Sequence, residues 1–203
     1  MPAKNRDLHG NTPDKCDVAL VLIDVISDLD FPEADQLVHY ALPMAKQLQA
    51  LKRRAKAAGI PAIYVNDNFG RWRSDFKHLV DHCLRPDSRG RQLVQLLQPD
   101  EHDYFVLKPK HSAFFSTSFD LLLKYLEAKA LILTGLASDI CVLFTANDAY
   151  MRDYHLFVPE DCVAANTTQA NEYALRQIRD ILKGDTTPSE QLLLDELSTL
   201  KAS

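Results

Sequence analysis

A run of six residues near the start of the chain, Val18 to Ile23, contains only apolar side chains, and half of them are β-branched. Such a run, with no polar residue at alternate positions, is typical of a strand that is buried on both faces. Sheets built from such strands are parallel and carry helices on both sides. Because further short apolar runs alternate with helical patterns along the chain, we predict a three-layer α/β/α fold with a Rossmann-like parallel sheet of roughly five or six strands.

The apolar runs and the turn residues give approximate bounds for these elements. Strands are predicted at 18–24, 61–66, 104–108, 130–134 and 155–159, and helices at 42–58, 75–84, 90–97, 118–126, 141–152 and 168–183. Pro43 suits the first turn of the first helix, and Gly59 suits its C-terminal cap. No apolar run follows residue 183, so a sixth strand at that point is expected to be very short or missing. Residues 188–200 predict a terminal helix with a stripe of leucines.

Length and composition limit the class of protein. A chain of 203 residues is typical of one domain, so we predict a single domain over 1–203 with a core at about 18–183. The polar N-terminal arm and the C-terminal helix are expected to lie outside that core. The net charge of −5 argues against nucleic acid as a partner, and no apolar run reaches membrane-spanning length. The four cysteines form no CxxC pair, which favours a cytoplasmic location.

Three predicted strands end at residues that carry chemistry. Asp24 follows the first strand, Lys108 ends the third, and Cys141 opens the helix after the fourth. A cysteine at a helix start lies in a positive field that favours the thiolate. Taken singly, each residue has an ordinary structural interpretation: a polar strand end or a buried thiol. Because parallel strands end at one edge of the sheet, the three together predict a nucleophile, a proton acceptor and a cation in one site.

Three motifs resemble one enzyme family. They are VLID at the first strand, LKPKHSAFFST around Lys108 and LTGLASDICVLFTANDAYMRDY around Cys141. In order and spacing they are similar to the isochorismatase-like cysteine hydrolases, which include N-carbamoylsarcosine amidases, ureidoacrylate amidohydrolases and nicotinamidases. The resemblance covers about 18–183. It implies the strand order 3-2-1-4-5 and assembly into a homo-oligomer, a dimer or a tetramer.

The resemblance also implies a mechanism. Cys141 would attack a carbonyl carbon and form a covalent intermediate. Asp24 would take the thiol proton, pass it to the leaving amine and then activate water, while Lys108 would balance the charge of the pair. A cis peptide bond between Leu136 and Ala137 would direct the backbone N–H groups of Ala137 and Cys141 into an oxyanion hole. Each such donor can stabilise a transition state by about 3 kcal/mol.

The chain departs from the family pattern at two points. Ile26 stands where most relatives have a glutamine two residues after the strand-1 aspartate, which favours a more apolar pocket or replacement by Ser27 or Asp28. Nicotinamidases carry an Asp-x-His pair after the second strand, whereas here Asp67 is followed by Asn68 and no histidine is near. The histidine pair at 78 and 82 has a ligand spacing but lacks two further ligands. We therefore expect no metal site and no cofactor, and nicotinamidase activity is disfavoured.

Substrate contacts are expected from three loops, at 25–35, 66–76 and 110–117. The candidate residues are Phe31, Asn68, Trp72, Arg73 and Phe114. Arginine forks suit carboxylates and tryptophan offers a flat apolar wall, so Trp72 and Arg73 are expected to select an anionic or planar small molecule. The alternative for that loop is an exposed basic turn or an oligomer contact.

These features predict a metal-independent cysteine hydrolase that cuts a C–N bond in a small amide, ureide or carbamoyl compound. Within the family the alternative is an enol-ether hydrolase of the isochorismatase type, a reaction that does not require a nucleophilic cysteine. Two alternatives from other classes remain: a redox-active thiol protein, and a binding protein that has kept the fold but not the turnover.

Overall fold

A parallel sheet forms the middle layer of the protein. The computed structural model describes residues 15–32, 34–68 and 76–197. The strands are β1 (Val18–Ile23), β2 (Ala62–Asp67), β3 (Tyr104–Lys108), β4 (Ala130–Leu136), β5 (His155–Phe157) and β6 (Val163–Ala164). Their order is β3-β2-β1-β4-β5, with β6 paired to the far end of β4, and every pairing is parallel. The predicted α/β class and strand order are confirmed.

Helices cover the two faces of this sheet. They are α1 (Ala34–Ala57), α2 (Phe76–Cys83), α3 (Arg91–Leu96), α4 (Phe119–Leu126), α5 (Leu143–Tyr150), α6 (Thr168–Asp180) and α7 (Leu194–Leu197). Residues of α1, α2, α3 and α7 share one hydrophobic cluster, and residues of α4, α5 and α6 share the other. No helix in the described ranges is long and apolar enough to cross a membrane.

The position of strand β1 in the sheet explains why its sequence does not alternate between apolar and polar residues. Val18, Leu20 and Leu22 pack into the first cluster, whereas Ala19, Val21 and Ile23 pack into the second. All six side chains are completely buried, because β1 is the central strand and lies between β2 and β4. Its carboxyl end therefore opens into the middle of the sheet edge where β2, β3 and β4 also end.

Helix α1 begins eight residues before its predicted start, and Pro43 lies inside it rather than in its first turn. An interior proline removes one backbone hydrogen bond and costs about 3 kcal/mol. The helix continues upstream because Ala34, Leu37 and Ala41 extend its buried stripe at helical spacing. The predicted cap is confirmed, since Gly59 takes the left-handed conformation with φ of +71°.

The last part of the chain contains a sixth strand at a place where none was predicted, since β6 precedes helix α6. After α6, within the described residues, an isolated bridge between Phe157 and Asp185 agrees with the expected very short or missing strand. The predicted helix at 188–200 is wrong as a continuous element. A single 3₁₀ turn covers Ser189–Gln191, and the short α7 follows. Leu192 and Leu193 separate the two turns, and Leu192 and Leu194 still reach the core, since both join the first cluster.

Candidate active site

Asp24 is the first residue beyond β1, and its backbone turns sharply there. It has a left-handed φ of +51°, a conformation that strains a non-glycine residue by about 1–3 kcal/mol. Two contacts hold it. The Asp24 N–H donates to the carbonyl of Val65 at 2.9 Å, and the Asp67 N–H donates to Oδ1 of Asp24 at 2.8 Å. The carboxylate is therefore fixed between β1 and β2 at the edge of the sheet.

Lys108 brings its ammonium group to this carboxylate from β3. Its side chain is completely buried, and Nζ lies 2.8 Å from Oδ2 of Asp24 and 3.5 Å from Sγ of Cys141. Burial alone would lower the pKa of Lys108, but the charges of Asp24 and Cys141 outweigh it and raise that pKa. Burial raises the pKa of Asp24, while Lys108 opposes the rise. The lysine stays charged, and the carboxylate is a stronger base than an exposed one.

Cys141 lies in a π-turn between β4 and α5. The turn covers Ser138–Val142, and the N–H of Val142 donates to the carbonyl of Ala137 at 3.2 Å. The helical backbone thus starts three residues before Cys141, and α5 begins two residues after it, close to the predicted helix start. Single π-turns are often found at functional sites, where the additional residue redirects a side chain. Here the thiol points toward Lys108 and Asp24, and all three predicted catalytic side chains meet.

The resting thiol of Cys141 is protonated. Burial, and then the negative charge of Asp24, raise the pKa of Cys141 to about 12, although Lys108 acts in the opposite direction. The predicted preference for the thiolate is therefore wrong for the protein at rest, because the helix start does not compensate for burial and the nearby carboxylate. The thiol is hydrogen-bonded to Asp24, so a base is in place to take its proton.

The peptide bond between Leu136 and Ala137 is trans, because no cis peptide bond occurs in the described ranges. The predicted cis bond is wrong. Gly135, inside β4, has φ of +107°, and Ala137 follows the strand in an extended conformation (φ −80°, ψ 142°). An oxyanion hole formed by the N–H groups of Ala137 and Cys141 stays a prediction.

The predicted substrate contacts lie in different surroundings. Asn68 directly follows β2, and its N–H donates to the Lys108 carbonyl at 3.0 Å, so it borders the catalytic trio. Phe31 is half-buried against the first hydrophobic cluster. Phe114 is buried, with its ring against Phe119 and below the guanidinium group of Arg152. Trp72 and Arg73 lie outside the described residues.

One residue near the nucleophile was not among the predicted catalytic groups. Nδ1 of His111 lies 3.9 Å from Sγ of Cys141, and its ring packs against Phe144, with the ring centroids 5.5 Å apart. Both aromatic residues are exposed, in contrast to Lys108 on the inner side of the sulfur. The sequence signal for His111 was its position in the Lys108 motif, three residues after the lysine.

Metal ligands do not cluster in the parts of the chain that the structure describes: no three His, Cys, Asp or Glu side chains are grouped closely enough to hold an ion. Of the histidine pair with the spacing of metal ligands, His82 contacts a carboxylate outside α2. His82 Nε2 lies 2.9 Å from Oδ2 of Asp28, which ties α2 to the loop after β1. Ile26 is completely buried in that loop, and its carbonyl accepts a hydrogen bond from the Asn66 amide at 2.8 Å.

Known proteins with similar sequences and structures share this architecture. The family model for the isochorismatase domain matches residues 18–190. The isochorismatase family protein YaaI of Bacillus subtilis (strain 168) is 38% identical over 179 residues, 88% of this chain and 98% of that protein. The ureidoacrylate amidohydrolase RutB of Methylorubrum extorquens is 36% identical over 160 residues. That match covers 67% of this chain and 63% of RutB, so the chain spans less than two thirds of that enzyme.

Among solved structures, the fold is similar to that of N-carbamoylsarcosine amidase from Thermoplasma acidophilum. The TM-score is 0.68, at 24% sequence identity, over 87% of this chain and 98% of the amidase. At this identity the likeness concerns the fold alone.

Proposed function

We propose that this chain, which belongs to the isochorismatase family, is a metal-independent cysteine hydrolase that cleaves a C–N bond in a small amide, ureide or carbamoyl compound. The observation that carries the proposal is the contact of three groups at one edge of the sheet. The thiol of Cys141, the carboxylate of Asp24 and the ammonium of Lys108 lie within hydrogen-bonding distance of one another. A nucleophile with an adjacent base and a fixed cation is the arrangement that acyl transfer requires.

In the first half of the reaction, Asp24 takes the proton of the Cys141 thiol as Sγ attacks the carbonyl carbon. Because the thiol holds its proton at rest, removal of the proton and attack are coupled. The Lys108 ammonium stabilises the negative charge as it moves from the carboxylate to the sulfur. The C–N bond of the tetrahedral intermediate then breaks, Asp24 passes the thiol proton to the nitrogen, which leaves as an amine or ammonia, and the acyl group stays on Cys141.

In the second half, Asp24 takes a proton from water, which attacks the acyl carbon, and the C–S bond breaks. The acid or carbamate leaves, and Asp24 returns the proton to Sγ. No step requires a metal ion or an organic cofactor. The sequence supports this assignment, because nicotinamidases carry an Asp-x-His pair after the second strand, whereas here Asp67 is followed by Asn68 and no histidine is near.

The substrate class is supported by the chain's relatives. RutB is named as a ureidoacrylate amidohydrolase, and its substrate carries a ureide C–N bond. An enol-ether substrate fits less well, since it would leave a hydrogen-bonded thiol without a role. We keep the homo-oligomer as a proposal, which static light scattering of the purified protein tests directly.

The decisive experiment is intact-protein mass spectrometry during turnover of a panel of small amides, ureides and carbamoyl compounds. We expect a transient acyl adduct on the wild type, with release of ammonia or amine, and neither adduct nor release with Cys141→Ala. The matched control is Cys16→Ala, which removes a thiol far from the site. Turnover that survives in Cys141→Ala would contradict the covalent mechanism. A peroxide-sensitive Cys141 without any turnover would favour the redox alternative.

A further inference from the structure

Thr145 connects the backbone of the nucleophile to the segment that follows the catalytic lysine. It lies in α5, four residues after Cys141, and its side chain is completely buried. Its Oγ1 donates to the Cys141 carbonyl at 2.7 Å and accepts a hydrogen bond from the Ala113 N–H at 3.0 Å. A hydroxyl has a single proton to donate, and here that proton is used on the nucleophile's own backbone.

A second contact joins the same two segments of the chain. Oγ of Ser112 donates to Oδ2 of Asp148 at 2.5 Å, three residues further along α5 than Thr145. This contact docks the segment after Lys108 on the helix. Thr145 docks the same segment and in addition binds the Cys141 carbonyl, so the two contacts can be compared with each other.

The backbone that Thr145 binds is the place where the π-turn passes into the α-helix. The turn covers Ser138–Val142, and α5 begins at Leu143. The additional residue of such a turn changes the direction of the side chains that it carries. A threonine hydroxyl that bonds the carbonyl four residues back competes with the helical hydrogen bonds and often bends the backbone. The Thr145 bond therefore acts on the residue whose direction decides whether the thiol meets its partners.

These partners are held in place and tolerate little displacement of the sulfur. Sγ of Cys141 lies 3.5 Å from Nζ of Lys108 and is hydrogen-bonded to Asp24. The lysine is completely buried and is fixed to the Asp24 carboxylate at 2.8 Å, so its ammonium group is not free to follow a sulfur that moves away. Misplacement of a reacting group by about 1 Å can lower a rate by about 10²-fold.

We propose that Thr145 is a positioning residue, whose hydroxyl fixes the Cys141 backbone against the segment after Lys108 and so keeps the thiol in contact with its base and its cation. This inference rests on the proposed function, and it extends the site beyond the catalytic trio. The hydrogen bonds of the Thr145 hydroxyl are made to backbone atoms. Thr145 therefore acts through the position of Cys141 and takes no part in proton transfer.

Two substitutions separate the hydroxyl of Thr145 from its packing. Thr145→Val keeps the shape of the side chain and removes both hydrogen bonds, whereas Thr145→Ser keeps the hydroxyl and removes the methyl group. We expect Thr145→Val to lower kcat by about 10–10²-fold for the amide that the mass-spectrometric panel identifies, with KM within about threefold of wild type. Thr145→Ser should stay within about threefold of wild type in both constants.

A second readout follows the thiol without any turnover. Burial and the charge of Asp24 hold the pKa of Cys141 at about 12, and a thiol that leaves this position loses part of that rise. Thr145→Val should therefore react faster with iodoacetamide than the wild type at mildly alkaline pH, although its kcat is lower. The rate is followed at Cys141 by peptide mass spectrometry, because the half-buried Cys16 can also be alkylated.

Thr134→Val is the matched control for the loss of a buried hydroxyl. Thr134 is also completely buried, and its Oγ1 donates to the Val21 carbonyl at 2.8 Å within the sheet. This variant should be less stable to urea than the wild type, but it should keep the kinetic constants and the alkylation profile. Equal effects of Thr134→Val and Thr145→Val would assign both to general destabilisation and would overturn the proposal.

Other results would also overturn it. Wild-type kcat and alkylation in Thr145→Val would show that the hydroxyl does not hold Cys141, and a change confined to KM would make Thr145 a binding residue. Equal losses in Thr145→Ser and Thr145→Val would assign the effect to the methyl group. An equal loss in Ser112→Ala would assign the alignment to docking of the segments rather than to the bond with the Cys141 carbonyl.

Failure of the proposed function is a separate result. A wild type that hydrolyses none of the panel contradicts the hydrolase, whereas the alkylation of Cys141 needs no turnover. Comparison of the alkylation profiles of the wild type, Thr145→Val and Thr145→Ser therefore decides whether Thr145 holds the thiol in either case.

Discussion

The ammonium group of Lys108 lies 2.8 Å from Oδ2 of Asp24, and the lysine side chain is completely buried. A buried charge of this kind is stable only while its partner is present, because the desolvation cost of an ion is several kcal/mol. Lys108 ends β3 and Asp24 follows β1, and strand β2 lies between them in the sheet. The ion pair therefore connects strands that are not neighbours and contributes to the stability of the fold as well as to the site.

Because of this ion pair, we expect that removal of either Lys108 or Asp24 alone lowers the free energy of unfolding strongly. Lys108→Met should lower the free energy of unfolding by about 3–5 kcal/mol, because it leaves the Asp24 carboxylate without its cation. The double variant Lys108→Met with Asp24→Asn should recover part of that loss. Urea unfolding of the wild type, both single variants and the double variant measures the coupling directly. Additive losses would show that the pair does not stabilise the fold.

A second prediction concerns the charge of Asp24 and the acidity of the thiol. The carboxylate is one of the groups that raise the pKa of Cys141 to about 12, so Asp24→Asn should lower that pKa. The variant should therefore react faster with iodoacetamide at mildly alkaline pH, while its kcat for the amide substrate should fall by about 10²-fold or more through loss of the base. The rate of alkylation as a function of pH measures the first effect.

The control for this experiment is Asp139→Asn, which removes a carboxylate two residues from Cys141 that is not among the groups that shift the pKa of the thiol. Its alkylation profile should match that of the wild type. An Asp24→Asn profile that also matches the wild type would mean that burial alone keeps the thiol protonated.

The contrast between confirmed and wrong predictions has a physical basis. The sheet was predictable because β1 is buried on both faces, and a doubly buried strand leaves no polar position in its sequence. Asp24 and Lys108 were predictable because parallel strands end at the same edge of the sheet. The protonation of Cys141 was not, since burial and the distance to Asp24 are properties of the assembled site. The early start of α1 depends likewise on packing that outweighs the cost of Pro43.

A third prediction concerns alkaline pH. Burial raises the pKa of Cys141 and of Cys83 from the ordinary 9.0 to about 12 in the folded protein. At a pH between these two pKa values, the unfolded chain has lost the thiol protons of Cys141 and Cys83, whereas the folded protein still holds them. The stability that they contribute is fully present below about pH 9 and is lost as the pH rises toward about 12. The free energy of unfolding should therefore fall steadily above about pH 9.

Each such thiol makes the free energy of unfolding fall by up to about 1.4 kcal/mol per pH unit. Removal of the thiol should therefore reduce the slope of the free energy of unfolding against pH by that amount. Urea unfolding of the wild type and of Cys141→Ala between about pH 8 and about pH 10.5 makes the comparison. Cys83→Ala, which removes a buried thiol remote from the trio, should flatten it similarly. Curves that remain parallel would show that these thiols lose their protons at ordinary pH in the folded protein.

The fourth prediction concerns the glycine that carries the chain from β4 toward Cys141. Gly135 has φ of +107°, and a Cβ placed there would lie 2.1 Å from the carbonyl oxygen of Ile23, within the pairing of β4 with β1. Gly135→Ala must displace the end of β1, directly before Asp24. We expect a loss of about 3 kcal/mol or more in the free energy of unfolding, and a loss of activity in whatever fraction still folds.

Gly59→Ala provides the matched comparison, because Gly59 also has a positive φ, of +71°, but a Cβ there would meet nothing within 4 Å. This variant should lose only about 1–2 kcal/mol, from backbone strain alone, and should keep its activity. Thermal and urea unfolding of the two variants separate the steric contribution from the conformational one. Equal losses at the two positions would mean that the end of β1 yields readily, and that the position of Asp24 does not depend on the close approach of Gly135.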